Sequence, residues 1–336
     1  MKTIVIHPPL DADRLSALKR RVPGAAFTNA ETPGAAAEAI GEADAFLGKL
    51  TPELLARARR LTWVQAFTVS LEHYMFDELV EHPCRLSNMR GLFGDVIADQ
   101  VMGYVISFAR NLHLYVRRQV ERRYEPLGGE AARVSNAAGP GVVNDMDRAV
   151  IHLPGSTMGI VGFGAIGAEI ARRATAFGMR VIGVDRKPGA ISLPEGVERV
   201  DGIERLDDLL TESRFVVIAA PQTPETTRLF DRRKFAAMRS DAYLINIGRG
   251  AIVVLDDLVA ALESRTIAGA ALDVFEVEPL PSSHRLWEFE NVIITPHTAG
   301  YSTMIAQRHL QTMIENVERF VAGDEPRNLV DKRLWF

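Results

Sequence analysis

The stretch MGIVGFGAIGAEIARRATAFGMRVIGVD, residues 158–185, reads as a strand, a glycine turn, a helix and a second strand. An apolar run ends at Val161. Gly162, Gly164 and Gly167 follow as G-x-G-x-x-G, and helical periodicity begins at once. The spacing carries a mechanism. The first glycine makes the tight turn, the second lets backbone approach a pyrophosphate, and the third lets helix and strand pack closely. Gly164, Ala165, Ile166 and Gly167 form the helix entry, where unpaired N–H groups and the positive dipole end meet phosphates. The second strand ends in Asp185, 18 residues after Gly167, where a carboxylate would accept hydrogen bonds from an adenosine ribose. Asp185 favours NAD because it would repel a 2′-phosphate. Arg186 and Lys187 come next and would bind that phosphate, so NADP use stays open.

Outward from this unit the alternation continues. Strands RFVVIAAP, AYLINIG, IAGAALDVF and NVIITP follow, with helical patterns IERLDDLLTES and LDDLVAALESR among them. Upstream, IVIH (4–7), AFLG (45–48), WVQAF (63–67) and CRLSN (84–88) read as strands, with DRLSALKRRV and PELLARARR as helices between them. Both series predict parallel sheets flanked by helices. One long helical segment is expected from Gly94 to about Gln119, and an amphipathic helix over 303–322 is expected to return to the first domain. The division is therefore 1–98 plus 301–336 for a discontinuous substrate domain and 99–300 for an NAD(P) domain, with the two long helices as hinge. Residues 120–153 break the pattern, with turn chemistry at GG (128–129), AAGPG (137–141) and LPG (153–155). Loops of that length are commonly functional, interfacial or mobile, and a dimer contact is the expectation.

The bulk properties exclude several classes. The chain has 336 residues, long enough for two domains, with 47% hydrophobic and 24% charged residues. Its net charge is −4 and its basic residues are dispersed, which argues against nucleic acid as partner. No apolar run reaches the roughly 20 residues that span a bilayer. MKTIVIHPPL reads as a first strand rather than a signal peptide, and a cytoplasmic location is expected. A single cysteine, Cys84, gives no internal disulfide, and the histidines show no metal-ligand spacing.

Three further motifs carry reactive groups: NIGRG (246–250), DVFEVEP (273–279) and TPHTAG (295–300). Arg249 lies between glycines just past a strand, where ligands of open α/β sheets bind, and its fork pairs two-pronged with a carboxylate. His297 also follows a strand and can donate a proton to a carbonyl oxygen near neutral pH. Glu278 supplies a partner that favours the imidazolium. Each has a plainer reading by itself: a solvated loop Arg, a structural His, a solvated loop acid. Together they are the equipment of a 2-oxo acid reductase.

At GFGAIG, Asp185, PQTPETTRLF (221–230), LINIGRG, ALDVFEVEPLP and NVIITPHTAG the chain closely resembles the D-isomer-specific 2-hydroxyacid dehydrogenases. The resemblance implies two Rossmann-like α/β domains with parallel sheets, the active site in the interdomain cleft, and a homodimer. It implies that Arg249, Glu278 and His297 are the catalytic triad and that Asp273 holds the nicotinamide carboxamide. The 219–223 segment, with Pro221 and nearby Thr226, would line the cofactor. Substrate carboxylate would meet Arg249 and the backbone N–H groups of Val69 and Ser70. Many relatives have glycine in place of Ser70, and IADQ (97–100) departs from the acid–His pair common there, which puts substrate identity in doubt more than reaction type. His73 and Tyr74 are pocket candidates, with core or surface roles as alternatives.

The expected reaction is hydride transfer between NAD(H) and a small 2-oxo or D-2-hydroxy acid such as glyoxylate or hydroxypyruvate. The sequence runs 36 residues beyond TPHTAG, so the regulatory domain of longer phosphoglycerate dehydrogenases is not expected. Formate oxidation does not need an acid-paired His, and phosphite oxidation stays open on motif alone. The competing reading is an NAD(H)-sensing, corepressor-like binding protein of the same fold.

Overall fold

The computed structural model describes residues 1–133, 141, 143–189 and 192–335. The chain divides into two units, Met1–Leu92 with Ser302–Phe336, and Phe93–Tyr301.

The first unit holds five strands: β1 (Lys2–His7), β2 (Ala25–Asn29), β3 (Ala45–Gly48), β4 (Trp63–Gln65) and β5 (Arg85–Ser87). All pair in parallel, in the order β2-β1-β3-β4-β5. Between them run α1 (Ala12–Arg21), α2 (Pro33–Ala39), α3 (Pro52–Arg57) and α4 (Asp77–Glu81). Asp11, Thr32 and Thr51 cap the first three by accepting from N–H groups of the opening turn, and α2 and α3 each begin with proline. β2, α2 and the short α4 are additions to the sequence expectation. β2 is a half-buried edge strand with only a short apolar start, and α2 is an alanine-rich helix of about two turns that buries only Ala36.

The second unit begins with α5 (Gly94–Ala109) and α6 (Leu112–Val120). The single long helix expected over 94–119 is thus two helices. Asn111 takes a left-handed backbone (φ 56°), which Asn tolerates better than most residues, and its side chain donates to Ala149 O at 2.6 Å. In the 120–153 excursion the described residues form a 3₁₀ turn at Glu130–Ala132 and α7 (Asp145–Arg148). Most of AAGPG lies outside the described residues.

There follow β6 (Thr157–Val161), α8 (Ala165–Ala176), β7 (Arg180–Val184), β8 (Val197–Asp201), α9 (Leu206–Glu212), β9 (Phe215–Ile218), α10 (Arg232–Ala237), β10 (Tyr243–Asn246), α11 (Leu255–Glu263), β11 (Gly269–Leu272) and β12 (Val292–Ile294). Their sheet is parallel throughout, in the order β12-β11-β10-β9-β6-β7-β8. From β6 the chain first moves outward to β7 and β8, then returns to β9 and moves the other way. That reversal is the switch point beside which open α/β sheets bind ligands. Both faces are covered, and successive residues alternate between them. Phe215 and Val217 join the core with α5 and α8, while Val216 and Ile218 join the core with α9–α11.

The last helix, α12 (Ile305–Ala322), belongs to the first unit. Its buried stripe of Met313, Asn316, Val317 and Phe320 keeps helical spacing, and Phe320 packs on Trp63 with ring centroids 5.0 Å apart. Beyond it the chain lies antiparallel to β5, with Val330 N–H donating to Leu86 O at 2.8 Å, so this sheet edge is covered. Among the described residues no helix is long and apolar enough to cross a membrane.

Candidate active site

The glycine turn leaves the carboxyl end of β6. Gly162 has φ +92°, and a Cβ there would sit 2.6 Å from backbone atoms of Ala220. A Cβ on Gly167 would sit 2.5 Å from Gly162 O, which is the close helix–strand approach the motif demands. At Gly164, by contrast, nothing lies within 4 Å of the Cβ position, and no side chain caps the start of α8. An open approach to uncapped helix N–H groups fits a pyrophosphate. Ala165 and Ile166 form the first helical residues, with Ile166 packed against the core.

Asp185 closes β7. Its Oδ2 accepts from Phe163 N–H and its Oδ1 from Lys187 N–H, both at 2.8 Å. The carboxylate is therefore fixed in orientation, with a lone pair left on each oxygen for a pair of ribose hydroxyls. Across β6, the loop after β9 is tied internally. Thr223 N–H donates to Thr226 Oγ1 at 2.8 Å, and that hydroxyl donates to Pro221 O at 2.7 Å. Thr226 thus holds the loop in shape. Arg186 Nη1 reaches Glu225 Oε2 in this same loop at 3.5 Å.

The three reactive groups come from three adjacent strands. Arg249 follows β10, Asp273 and Glu278 follow β11, and His297 follows β12. Asn246, fully buried at the end of β10, folds the first turn: its Oδ1 accepts from Gly248 N–H at 3.1 Å and its Nδ2 donates to Arg249 O at 3.0 Å. Arg249 Nη1 donates to Gly248 O at 2.8 Å. Gly250 rests against the next strand's exit, where a Cβ would sit 1.8 Å from the Phe275 carbonyl carbon. The Arg249 turn and the segment leading to Glu278 thus pack backbone against backbone.

Glu278 Oε1 accepts from Phe275 N–H at 2.9 Å, and Oε2 meets His297 Nδ1 at 2.8 Å. Both side chains keep solvent access, His297 at 48% and Glu278 at 36%. His297 has φ 54°, and its N–H donates to Asp273 O at 2.8 Å. Asp273 is only 2% exposed. Its Oδ1 accepts from the Thr295 hydroxyl and from Thr298 N–H at 2.9 Å, and its Oδ2 from Ala299 N–H at 3.0 Å. Tyr104 of α5 hydrogen-bonds the same Thr295 hydroxyl. The carboxylate therefore spends three of its acceptor sites on the loop that carries His297.

In the first unit, Val69 and Ser70 lie in the loop after β4. Val69 O accepts from Asn88 Nδ2 at 2.9 Å and Ser70 O from the Thr68 hydroxyl at 2.6 Å. Tyr74 is a core residue, whereas His73 is exposed. Asn246, Gly250, Thr295 and Tyr104 had no assigned role from sequence. Asn246 and Gly250 stand inside the quoted NIGRG motif, so a signal was present. For Tyr104 there was none, because its partner is 191 residues away.

Residues 102–299 match the family model described as D-isomer specific 2-hydroxyacid dehydrogenase, NAD binding domain. A glyoxylate reductase of Aeropyrum pernix is 34% identical over 299 residues, 87% of this chain and 84% of that protein. Among solved structures, a D-isomer specific 2-hydroxyacid dehydrogenase family protein from Aeromonas salmonicida is 30% identical, with a TM-score of 0.74, over 98% of this chain and 99% of that one. A D-isomer specific 2-hydroxyacid dehydrogenase from Xanthobacter autotrophicus, solved with NADPH and MES, is 29% identical, with a TM-score of 0.77, over 99% and 98%.

Proposed function

This chain belongs to the D-isomer-specific 2-hydroxyacid dehydrogenase family, and from that premise we propose that Arg249, Glu278 and His297 perform its chemistry on glyoxylate, hydroxypyruvate or a similarly small 2-oxo acid. It is an oxidoreductase that transfers hydride between a nicotinamide dinucleotide and a 2-hydroxy acid. The substrate range rests on the relatives named glyoxylate reductase. The assignment of roles rests chiefly on one contact, Glu278 Oε2 to His297 Nδ1 at 2.8 Å.

That contact divides the work of the imidazole. With Nδ1–H held by Glu278, Nε2 is the nitrogen that carries the mobile proton. In reduction, Arg249 pairs with the substrate carboxylate and polarises the 2-oxo group, so charge growing on that oxygen meets a fixed cation. The dinucleotide supplies the hydride to C2. His297 gives its Nε2 proton to the oxygen, completing the alcohol, and keeps its Nδ1 proton against Glu278. Oxidation runs the same path backwards, with neutral His297 as base. We carry over from the resemblance alone that the Val69 and Ser70 amides also meet the carboxylate. We assign Asp273 a second duty beside the nicotinamide contact, that of holding the His297 loop. A panel of 2-oxo acids with NADH and NADPH tests the reading. Turnover of glyoxylate and hydroxypyruvate well above longer acids is expected, and turnover of none would contradict it.

We also infer a homodimer. No residue of α6 is fully buried within the chain, though His113, Leu114 and Tyr115 are partly covered. It exposes Leu112 at 45%, Val116 at 60% and Val120 at 81%, four residues apart, an apolar stripe suited to a second copy. Val116→Glu with Val120→Glu should halve the mass in solution; an unchanged dimer would place the contact elsewhere. The lone cysteine and the lack of a helix able to cross a membrane among the described residues support the cytoplasm as location.

A further inference from the structure

Arg186 and Glu225 stand on opposite sides of the strand from which the glycine turn leaves. Arg186 follows β7, Glu225 lies in the loop after β9, and β6 is the neighbour of both strands. Their ion pair, 3.5 Å from Nη1 to Oε2, therefore spans the carboxyl end of β6. Asp185, next to Arg186 in the chain, is locked by two backbone N–H groups, with an acceptor site open on each oxygen. Two arrangements compete for one guanidinium. A 2′-phosphate needs Arg186 turned toward the ribose, as a two-pronged partner for its oxygens. Glu225 holds Arg186 toward the other loop and adds its own negative charge near the place such a phosphate would take.

We propose that the Arg186–Glu225 pair sets the choice between NADH and NADPH, with Glu225 the specificity-determining residue that holds the chain toward NADH. The inference rests on the reading that Asp185 and Arg186 face the adenosine ribose. The loop geometry favours it. Thr226 and Thr223 fix the turn that carries Glu225, and its carboxylate reaches Arg186 from there. A hydrogen bond with Thr223, followed by its own backbone N–H and the charge of Arg186, holds the Glu225 carboxyl below its ordinary range and keeps it ionised. With NADH there is no phosphate to repel, and Asp185 meets the hydroxyls unaided. Charge at Glu225 thus bears on NADPH more than on NADH.

The test is equilibrium binding rather than turnover. Dissociation constants for NADH and NADPH, and for the fragments 5′-AMP and 2′-AMP, are measured on the full chain and on Glu225→Gln, Arg186→Gln, the double variant and Asp185→Asn. Glu225→Gln should raise the NADPH-to-NADH affinity ratio about three- to tenfold, as expected for a solvent-screened charge. The 2′-AMP preference should rise in parallel. Arg186→Gln should lower both, and in its background Glu225→Gln should lose most of its effect. An unchanged ratio in Glu225→Gln, with a changed ratio in Asp185→Asn, would overturn the proposal and leave the ribose site standing. Unchanged ratios in both Asp185→Asn and Arg186→Gln would overturn the ribose reading and the proposal with it. Glu225 is an exposed side chain, so the variant is expected to fold, and a thermal melt beside each titration confirms it.

Discussion

His297 occupies a left-handed backbone position, and four groups around it account for how it stays there. Its own N–H is held by Asp273 O, while the Asp273 carboxylate takes the Thr295 hydroxyl and the N–H groups of Thr298 and Ala299. The loop is thus built around one buried carboxylate before Glu278 fixes the ring. Two substitutions separate these duties. Glu278→Gln keeps an oxygen for Nδ1 and removes the charge. It should lower kcat about ten- to hundredfold, with a smaller change in KM, since the lost contact matters most when imidazolium is present. Asp273→Asn puts an amide NH₂ against backbone donors. It should cost about 2 kcal/mol or more in urea unfolding and lower kcat as well, because a buried charge-assisted acceptor is replaced by a clash of donors. An Asp273→Asn protein of unchanged stability would mean that the carboxylate does not hold the loop.

Between elements the decisive contact is Gly250 on the Phe275–Glu276 backbone. β10 and β11 are neighbours in the sheet, so the turns leaving them must share space, and only a residue without a side chain allows it. Gly250→Ala should displace the Arg249 turn and raise KM for the 2-oxo acid at least tenfold, with dinucleotide affinity largely kept; an unchanged KM would contradict this packing. The strands that bring the reactive groups were legible because each is an apolar run ending in a motif with defined chemistry. Asp185, Arg249, Glu278 and His297 could therefore be placed at strand ends from sequence. The omissions share a cause. β2 and β8 are incompletely buried edge strands, and β8 shifts register between the partners of Val181 and Ile182, so that Val197 and Val200 pack on the same core and no clean period-two alternation marks it. α10 is short, with Phe235 as its one buried side chain. The break at Asn111 was hidden because helical spacing resumes beyond it, and the bond that accompanies it goes to Ala149, far along the chain. The Asp273 carboxylate's partners were invisible for the same reason, as they lie in another motif.

At the scale of the whole molecule, three partly buried histidines should make stability sensitive to mild acid. Burial pushes His113 and His309 below their ordinary value of 6.5, and burial with the nearby Lys332 charge does the same to His82. These groups take up their proton at lower pH when folded, so just below pH 6.5 the unfolded chain binds more protons. Their contribution is present above pH 6.5 and is lost as pH falls toward the folded values. The carboxyls of Glu198 and Glu212 are held below their ordinary 4.5 by hydrogen bonds from Arg180, so their contribution is lost only at lower pH. The melting temperature should therefore begin to fall near pH 6.5 and fall again below about 4.5, with His309→Gln flattening the first step. A flat melting profile from pH 7.5 to 5 would contradict this account.

Both sheets are parallel, and in the second one the groups assigned to dinucleotide and substrate all leave the carboxyl edge. We propose that the Glu278–His297 pair at this edge moves the proton that accompanies hydride transfer. The most direct test is single-turnover oxidation of bound NADH by hydroxypyruvate in the natural chain and in His297→Ala, with NADH affinity measured on both. A loss of about 10²- to 10⁴-fold in the turnover step, with affinity for NADH retained, is the predicted result. Turnover in His297→Ala within a few-fold of the natural chain would contradict it.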